Sequence, residues 1–316
     1  MMSFSCLECD KDFDSERSLH AHIKKHDMFL HDYFVKHFSR RNLLTNELLP
    51  FKTKDSYFEY DFCNIGELYK WCELGNEEVV KNYIKDKLAS RIQSRNLTLA
   101  PNEIELYTSF LPTIDIYKKY FKSYTYLCNE LNIKPMFAEK LPDHFWNEDY
   151  IIDLTILTDT REQEPLFFKK QVVQKLDVGD YAILDHFDYT FVDRKSEQDF
   201  KSTLSKDNLD RFKRELNRCR SMSCYLFVVI DADLKKLDEG NKKSAHKANM
   251  KYIYHNMRLL QHEYRDCCQF VFSGSRSNSE YITPRILKSG KSIWNVDLQY
   301  FLNKKIYELG NRKSKK

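Results

Sequence analysis

A chain of 316 residues has room for about two globular domains of ordinary size, and its 51 Lys+Arg against 47 Asp+Glu leave a net charge of only +4. With 42% hydrophobic and 14% aromatic residues it can bury a core, which excludes disorder along the whole chain. The near-neutral balance excludes a global basic field, so any nucleic-acid signal must be local. The longest apolar run, residues 225–230, is far short of the ~20 residues of a membrane span. The first residues lack the basic and apolar regions of a secretory leader. An intracellular protein of cytoplasm, nucleoid or nucleus, with no membrane partner, is expected. Seven of the nine cysteines (Cys63, Cys72, Cys128, Cys219, Cys224, Cys267, Cys268) are scattered without framework spacing and read as reduced thiols.

The amino end carries the first chemical signal. Two residues separate Cys6 from Cys9, twelve lead on to His22, and three more precede His26. A knuckle can present two thiolates, and two imidazoles one helical turn apart can present nitrogens from a single face, which together close a tetrahedral zinc site. Phe13 and Leu19 sit where so small a unit needs its apolar core. Residues 4–26 resemble the two-cysteine, two-histidine zinc-finger family. The resemblance implies a ββα unit whose base-reading positions would be Ser15, Ser18 and Ala21, short side chains suited only to weak readout.

From residue 31 to about 149 the pattern is helical. Val80, Ile84, Leu88 and Ile92 form one apolar face of an amphipathic helix whose other positions include Lys81, Lys85, Lys87, Arg91 and Arg95. Pro112-Thr113 starts a short helix to about Tyr120, and Ser123 can cap a second to about Leu131 before Pro135. Two short helices and a tight turn suggest a helix-turn-helix. Residues 111–133 resemble the small helical DNA-binding repeats attached to homing endonucleases.

From Ile151 the period becomes that of strands, at about 151–158, 189–192, 224–230 and 269–272, with helix-like segments at about 208–220, 245–264 and 300–309. This is an α/β pattern. Strand alternation points Asp193 and Lys195 to one side and Arg194 to the other. Gly179 sits where a turn into Asp180 needs positive φ. Carboxylates brought together repel, and a hard divalent cation relieves that repulsion through oxygen ligands. Residues 201–251 hold 13 basic and seven acidic side chains, a local +6, and their lysines around Gly240 read as a phosphate-contacting loop.

Four segments in order, Asp159-Thr-Arg-Glu162, Leu176-Asp-Val-Gly-Asp-Tyr181, Asp193-Arg-Lys-Ser196 with Asp199 beyond, and Arg211 with Glu215, resemble the motifs of the XPF-type nuclease domain of the PD-(D/E)xK superfamily, over about residues 153–232. This chain has Asp193 where the family usually has Glu and Glu215 where it commonly has Gln. It lacks the Gly-rich hairpins of the family's helix-hairpin-helix modules.

The resemblance implies a restriction-endonuclease-like domain over 150–310, preceded by the finger over 1–27 and a helical, DNA-binding middle over 28–149, and followed by a basic tail over 311–316. It implies Mg²⁺ or Mn²⁺ held by Asp159, Asp180 and Asp193, with Lys195 orienting or helping to deprotonate the attacking water. Glu162 is a further acid, Arg161 and Arg211 are phosphate clamps, the Arg194 carbonyl is a possible extra ligand, and Arg194, Lys242, Lys243 and Lys247 are expected to contact DNA. The expected activity is metal-dependent DNA endonuclease, site-targeted in the manner of homing endonucleases. Structure-specific cutting of branched or flap DNA in repair or recombination is one alternative, and a non-catalytic nucleic-acid-binding scaffold is another. Nothing in the sequence reads a 2′-hydroxyl, so RNA stays open as a substrate, and a homodimer through the nuclease domain stays open as the assembly.

Overall fold

A computed structural model describes residues 4–184, 189–243 and 247–313, with side chains to residue 305. Strands β1 (Phe4–Ser5) and β2 (Asp12–Phe13) pair antiparallel ahead of helix α1 (Glu16–Ile23). The Ser15 hydroxyl starts α1 by accepting the Ser18 amide, one of the donors a helix start leaves without an intrahelical partner. Leu19 and Ile23 bury the inner face of α1 with Cys6. That cluster continues through Tyr33 and Phe34 of α2 (Leu30–His37) to Leu49 and to Tyr57 of α3 (Lys54–Glu59). Helix α4 (Ile65–Leu74) comes next, capped by Asn64, and then α5 (Glu77–Ser94), which buries Val80, Ile84 and Leu88 at the four-residue spacing seen in the sequence.

Beyond α5 lie β3 (Leu99–Ala100), α6 (Glu103–Thr108), α7 (Ile114–Tyr120), α8 (Tyr124–Glu130) and β4 (Lys134–Pro135), with β3 and β4 parallel. The chain divides into two compact units, one of residues 1–91 and 109–123, the other of 92–108 and 124–316. The two helices read as a helix-turn-helix therefore belong to different units, α7 to the first and α8 to the second. Within the second unit, Ile104, Leu141 and Phe145 from the helical middle enter the cores around the sheet.

That sheet has six strands: β5 (Ile156–Thr158), β6 (Gln171–Val173), β7 (Tyr181–Ile183), β8 (Thr190–Lys195), β9 (Tyr225–Ile230) and β10 (Cys268–Phe272). Their order is β10-β9-β8-β7-β5-β6; β8, β9 and β10 run parallel, β7 is antiparallel to both neighbours, and β6 is parallel to β5. Alternation along β9 sends Leu226, Val228 and Ile230 into one core and Tyr225, Phe227 and Val229 into the other. Burial on both faces is what a parallel strand between helical layers requires. The first core takes Phe200 of α9 (Glu197–Thr203), Phe212 and Leu216 of α10 (Lys206–Ser221), Leu237 of α11 (Leu237–Lys243) and Ile253 and Met257 of α12 (Met250–Glu263). The second takes Ile282 and Ile286 of α13 (Arg276–Ser289) and Leu298 and Leu302 of α14 (Leu298–Lys313).

The lysine-rich segment expected as a loop around Gly240 is helical over Leu237–Lys243, where Leu237 anchors it in the core; residues 244–246 lie outside the described residues. The basic tail expected from 311 is helical to Lys313, as a continuation of α14, and its last three residues are likewise outside. Among the described residues no helix is long and apolar enough to cross a membrane.

Candidate active site

The site is built where β7 meets β8. Gly179 has φ +63, and a Cβ there would stand 2.9 Å from the Val192 carbonyl oxygen, so only glycine fits the turn that aims Asp180. The Asp180 amide donates to Val192 O at 2.8 Å, and the Arg194 amide donates to Asp180 Oδ2 at 2.8 Å, which ties the carboxylate to the neighbouring strand. On β8, alternation puts Asp193 and Lys195 on one face, with Lys195 Nζ 2.8 Å from Asp193 Oδ2. Ser196 ends the strand and caps α9 by accepting the Asp199 amide. Helix α10 then presents Asn208, Arg211, Phe212 and Glu215, a single helical face, to the same cleft of about 580 Å³, and the Lys195 ammonium lies 5.5 Å from the Phe212 ring centre.

The charges are out of balance. Burial, and then the Asp193 charge, pushes the Asp180 carboxyl well above the usual range. Glu215 is raised by the same two causes, although Lys195 and the Gly179 amide oppose them. Burial alone would lower Lys195, but Asp193, with Asp180 and Glu215, holds its ammonium above the ordinary lysine range. Three carboxylates thus share one ammonium. Mg²⁺ keeps several waters and takes one or two carboxylates plus substrate phosphates; Asp180 and Asp193 are two carboxylates of the cleft wall beside Lys195.

Asp159, expected as the third ligand, lies beside Asp180, whose carbonyl accepts its amide at 2.8 Å. Its Oδ1 accepts from the Arg161 amide at 2.8 Å and from Arg161 Nε at 2.6 Å, and its Oδ2 accepts from the Leu176 amide at 2.6 Å. Both oxygens help fasten the loop after β5, and Asp159 is not among the residues that line the cleft. Burial would raise its pKa, but these donors hold it below the usual carboxylate range. Arg194, expected at DNA, turns instead to Asp231: Nε and Nη2 lie 2.7 and 2.5 Å from Asp231 Oδ2, with both side chains largely buried. Arg194 nevertheless stands among the residues that line the cleft, and Asp231 takes only its Nε and Nη2 edge. Arg161, Glu162 and Arg211 do line the cleft; Lys242, Lys243 and Lys247 are exposed but not part of its wall. Glu215 is an acid to which the sequence pattern assigns no role, although its place four residues after Arg211 puts both on one side of α10.

In the first unit, Cys6, Cys9, His22 and His26 form the only group of three or more metal-ligating side chains, among the described residues, whose ligand atoms all lie within 4.8 Å of one another. Cys9 Sγ is 3.2 Å from His22 Nε2, Cys6 Sγ is 3.5 Å from His26 Nε2, and the two Nε2 atoms are 3.1 Å apart. Ligand bonds of 2.0–2.3 Å give tetrahedral edges of roughly 3.3–3.8 Å; one of these distances falls in that range and the other two just below it, so the group has close to the dimensions of a zinc site.

Residues 158–294 match the ERCC4 domain. The matched stretch contains every residue of the cleft wall. Two solved structures are similar to the chain: XPF from Aeropyrum pernix, at 16% identity and a TM-score of 0.34 over 42% of this chain and 63% of that one, and the same protein in complex with DNA, at 16% and 0.33 over 43% and 64%. The chain thus spans somewhat less than two thirds of the length of these structures. No curated protein matches it.

Proposed function

We propose that the chain is a metal-dependent DNA endonuclease whose ERCC4 domain hydrolyses phosphodiester bonds in the cleft between β8 and α10. The observation that carries this is the convergence of Asp180, Asp193 and Lys195 on one open cleft inside the matched domain. A divalent cation held by Asp180 and Asp193, Mg²⁺ or Mn²⁺, would lower the pKa of bound water and offset charge on the phosphate. Lys195, held by Asp193 and by the Phe212 ring, points an ammonium at the position of the attacking water. Arg211 and the free edge of Arg161 steady the flanking phosphate oxygens, and Glu162 lines the cleft with them. Outside the cleft, Lys242, Lys243 and Lys247 extend a positive path for the backbone. Zinc in the Cys6, Cys9, His22, His26 group is structural, because four protein ligands leave no open position.

Sequence-directed targeting through the finger, in the manner of a homing endonuclease, is one mode of action. A specific observation favours the other, cutting at branched or flap DNA. Ser18 and Ala21 at the exposed face of α1 are too short for bidentate base contacts, and the Ser15 hydroxyl is spent on capping the helix. The test is cleavage of linear, flap and branched DNA with Mg²⁺ or Mn²⁺. Cutting that is lost in Asp193→Asn and Lys195→Met, with binding retained, supports the proposal; wild-type protein that binds all of these and cuts none overturns it in favour of a scaffold.

A further inference from the structure

The loop between β5 and β6 begins as cleft wall, with Arg161, Glu162, Gln163 and Glu164, and three residues beyond Glu164 it presents Phe167, whose side chain is 77% exposed. Isolated exposed apolar residues are ordinary; the way this one is held is not. Leu166 and Phe168 on either side are buried in the second core. The Leu166 amide donates to the Tyr181 hydroxyl at 2.8 Å, and the Phe168 ring meets the Tyr181 ring edge-on at 5.5 Å. The Phe167 amide donates to Glu280 Oε1 at 3.2 Å, and Arg276 Nη2 donates to the Glu164 and Pro165 carbonyls at 2.8 and 2.7 Å. The backbone on both sides of Phe167 is therefore fixed to α13 and to the sheet while its ring is turned out to solvent. Lys169, two positions on, is also exposed.

We propose that Phe167 is a stacking platform for an unpaired base of the nucleic-acid strand whose backbone enters the cleft. This rests on the proposed nuclease activity and adds to it the residue that takes the unpaired base. Three residues span at most about 11 Å, so the ring stands within about three nucleotide steps of the cleft wall, taking ~3.4 Å per step. A base inside a duplex keeps its faces covered by its neighbours, whereas a base in a flap or splayed end has a free π-face, and an aromatic ring already fixed in place loses little freedom on receiving it. Lys169 beside it suits the adjoining phosphate.

The test is a cycle on the full chain carrying Asp193→Asn, so that binding is read without cutting. Flap DNAs differ by one abasic residue placed in turn at each of the first unpaired positions. Phe167→Ala is expected to weaken flap binding about 5- to 150-fold, the range of a base–aromatic stack, and to leave binding of fully paired DNA unchanged. One abasic position should cost the same and add nothing to Phe167→Ala, Phe167→Trp should restore affinity, and Phe167→Leu should not. Equal flap affinity in wild type and Phe167→Ala, or additive losses at every abasic position, overturns the proposal. So does full affinity in Phe167→Leu, or a sedimentation change in Phe167→Ala without a change in DNA affinity, which would make the ring a contact between copies. The two readings fail separately: a wild type that shows the coupling but cuts nothing refutes only the nuclease, and a wild type whose cutting and binding are shared by Phe167→Ala refutes only the stack.

Discussion

Asp231→Ala probes the centre of the site from behind. Arg194 lies between Asp193 and Lys195 on β8, and its guanidinium is held by Asp231 through two contacts of 2.7 and 2.5 Å, while Asp231 Oδ1 accepts the Ser279 hydroxyl. The side chains of Arg194 and Asp231 are only 9% and 7% exposed. Removing one partner of such a pair leaves an uncompensated buried charge and costs about 3–5 kcal/mol. At about 2–4 °C per kcal/mol for a unit of this size, the second unit should melt roughly 10 °C lower. Replacing both partners by apolar residues, Arg194→Met with Asp231→Leu, removes the orphan and should recover most of that loss. Denaturant unfolding followed by circular dichroism measures all three variants against wild type. A cost below about 1 kcal/mol in Asp231→Ala would refute the reasoning, because Arg194 would then have found water or Glu164, whose carboxylate is already 3.9 Å away.

Gly179→Ala should cost about 1–2 kcal/mol for the left-handed backbone and, by driving its Cβ against Val192 O, shift Asp180 and cut the cleavage rate at least tenfold in a plasmid assay. Chelation of zinc, or Cys6→Ser, should unfold the first unit's shared core, seen as loss of the near-ultraviolet signal of Tyr33 and Tyr57, and elemental analysis should give one zinc per chain. Burial pushes Asp297 up to about 6, against the pull of the Glu103 and Tyr300 amides. Its folded form holds the proton more tightly than the unfolded chain, so stability should fall by about 1.4 kcal/mol per unit as pH rises from 4 to 6. Asp297→Asn should flatten that slope, and an unchanged slope in pH-dependent melts would contradict the assignment.

The parts of the site legible in the sequence were those decided by local geometry. Period-two alternation put Asp193 beside Lys195, a lone glycine marked the turn into Asp180, and ligand spacing assembled the cysteine–histidine group. What escaped was decided by distant partners. The Leu176 amide reaches Asp159 from 17 positions away, and Asp231 reaches Arg194 from 37 away. Strands β6 and β7 have three residues each, too few to show a period. Helix α13 runs through Pro284, a residue that ordinarily ends a helix. The role of Glu215 depends on how α10 lies against β8, which single-residue patterns do not encode.

The cysteine–histidine unit shares its apolar interior with helices α2 and α3. Cys6, Leu19 and Ile23 pack in one cluster with Tyr33, Phe34, Leu49 and Tyr57; the Tyr33 hydroxyl receives the Leu7 amide; and Glu8 is gripped by both Lys36 and His37. A fragment severed after residue 27 would therefore expose a greasy flank and forfeit its ionic clasps. Anyone wishing to transplant this element into another protein would have to carry residues 4–59 as a single cassette.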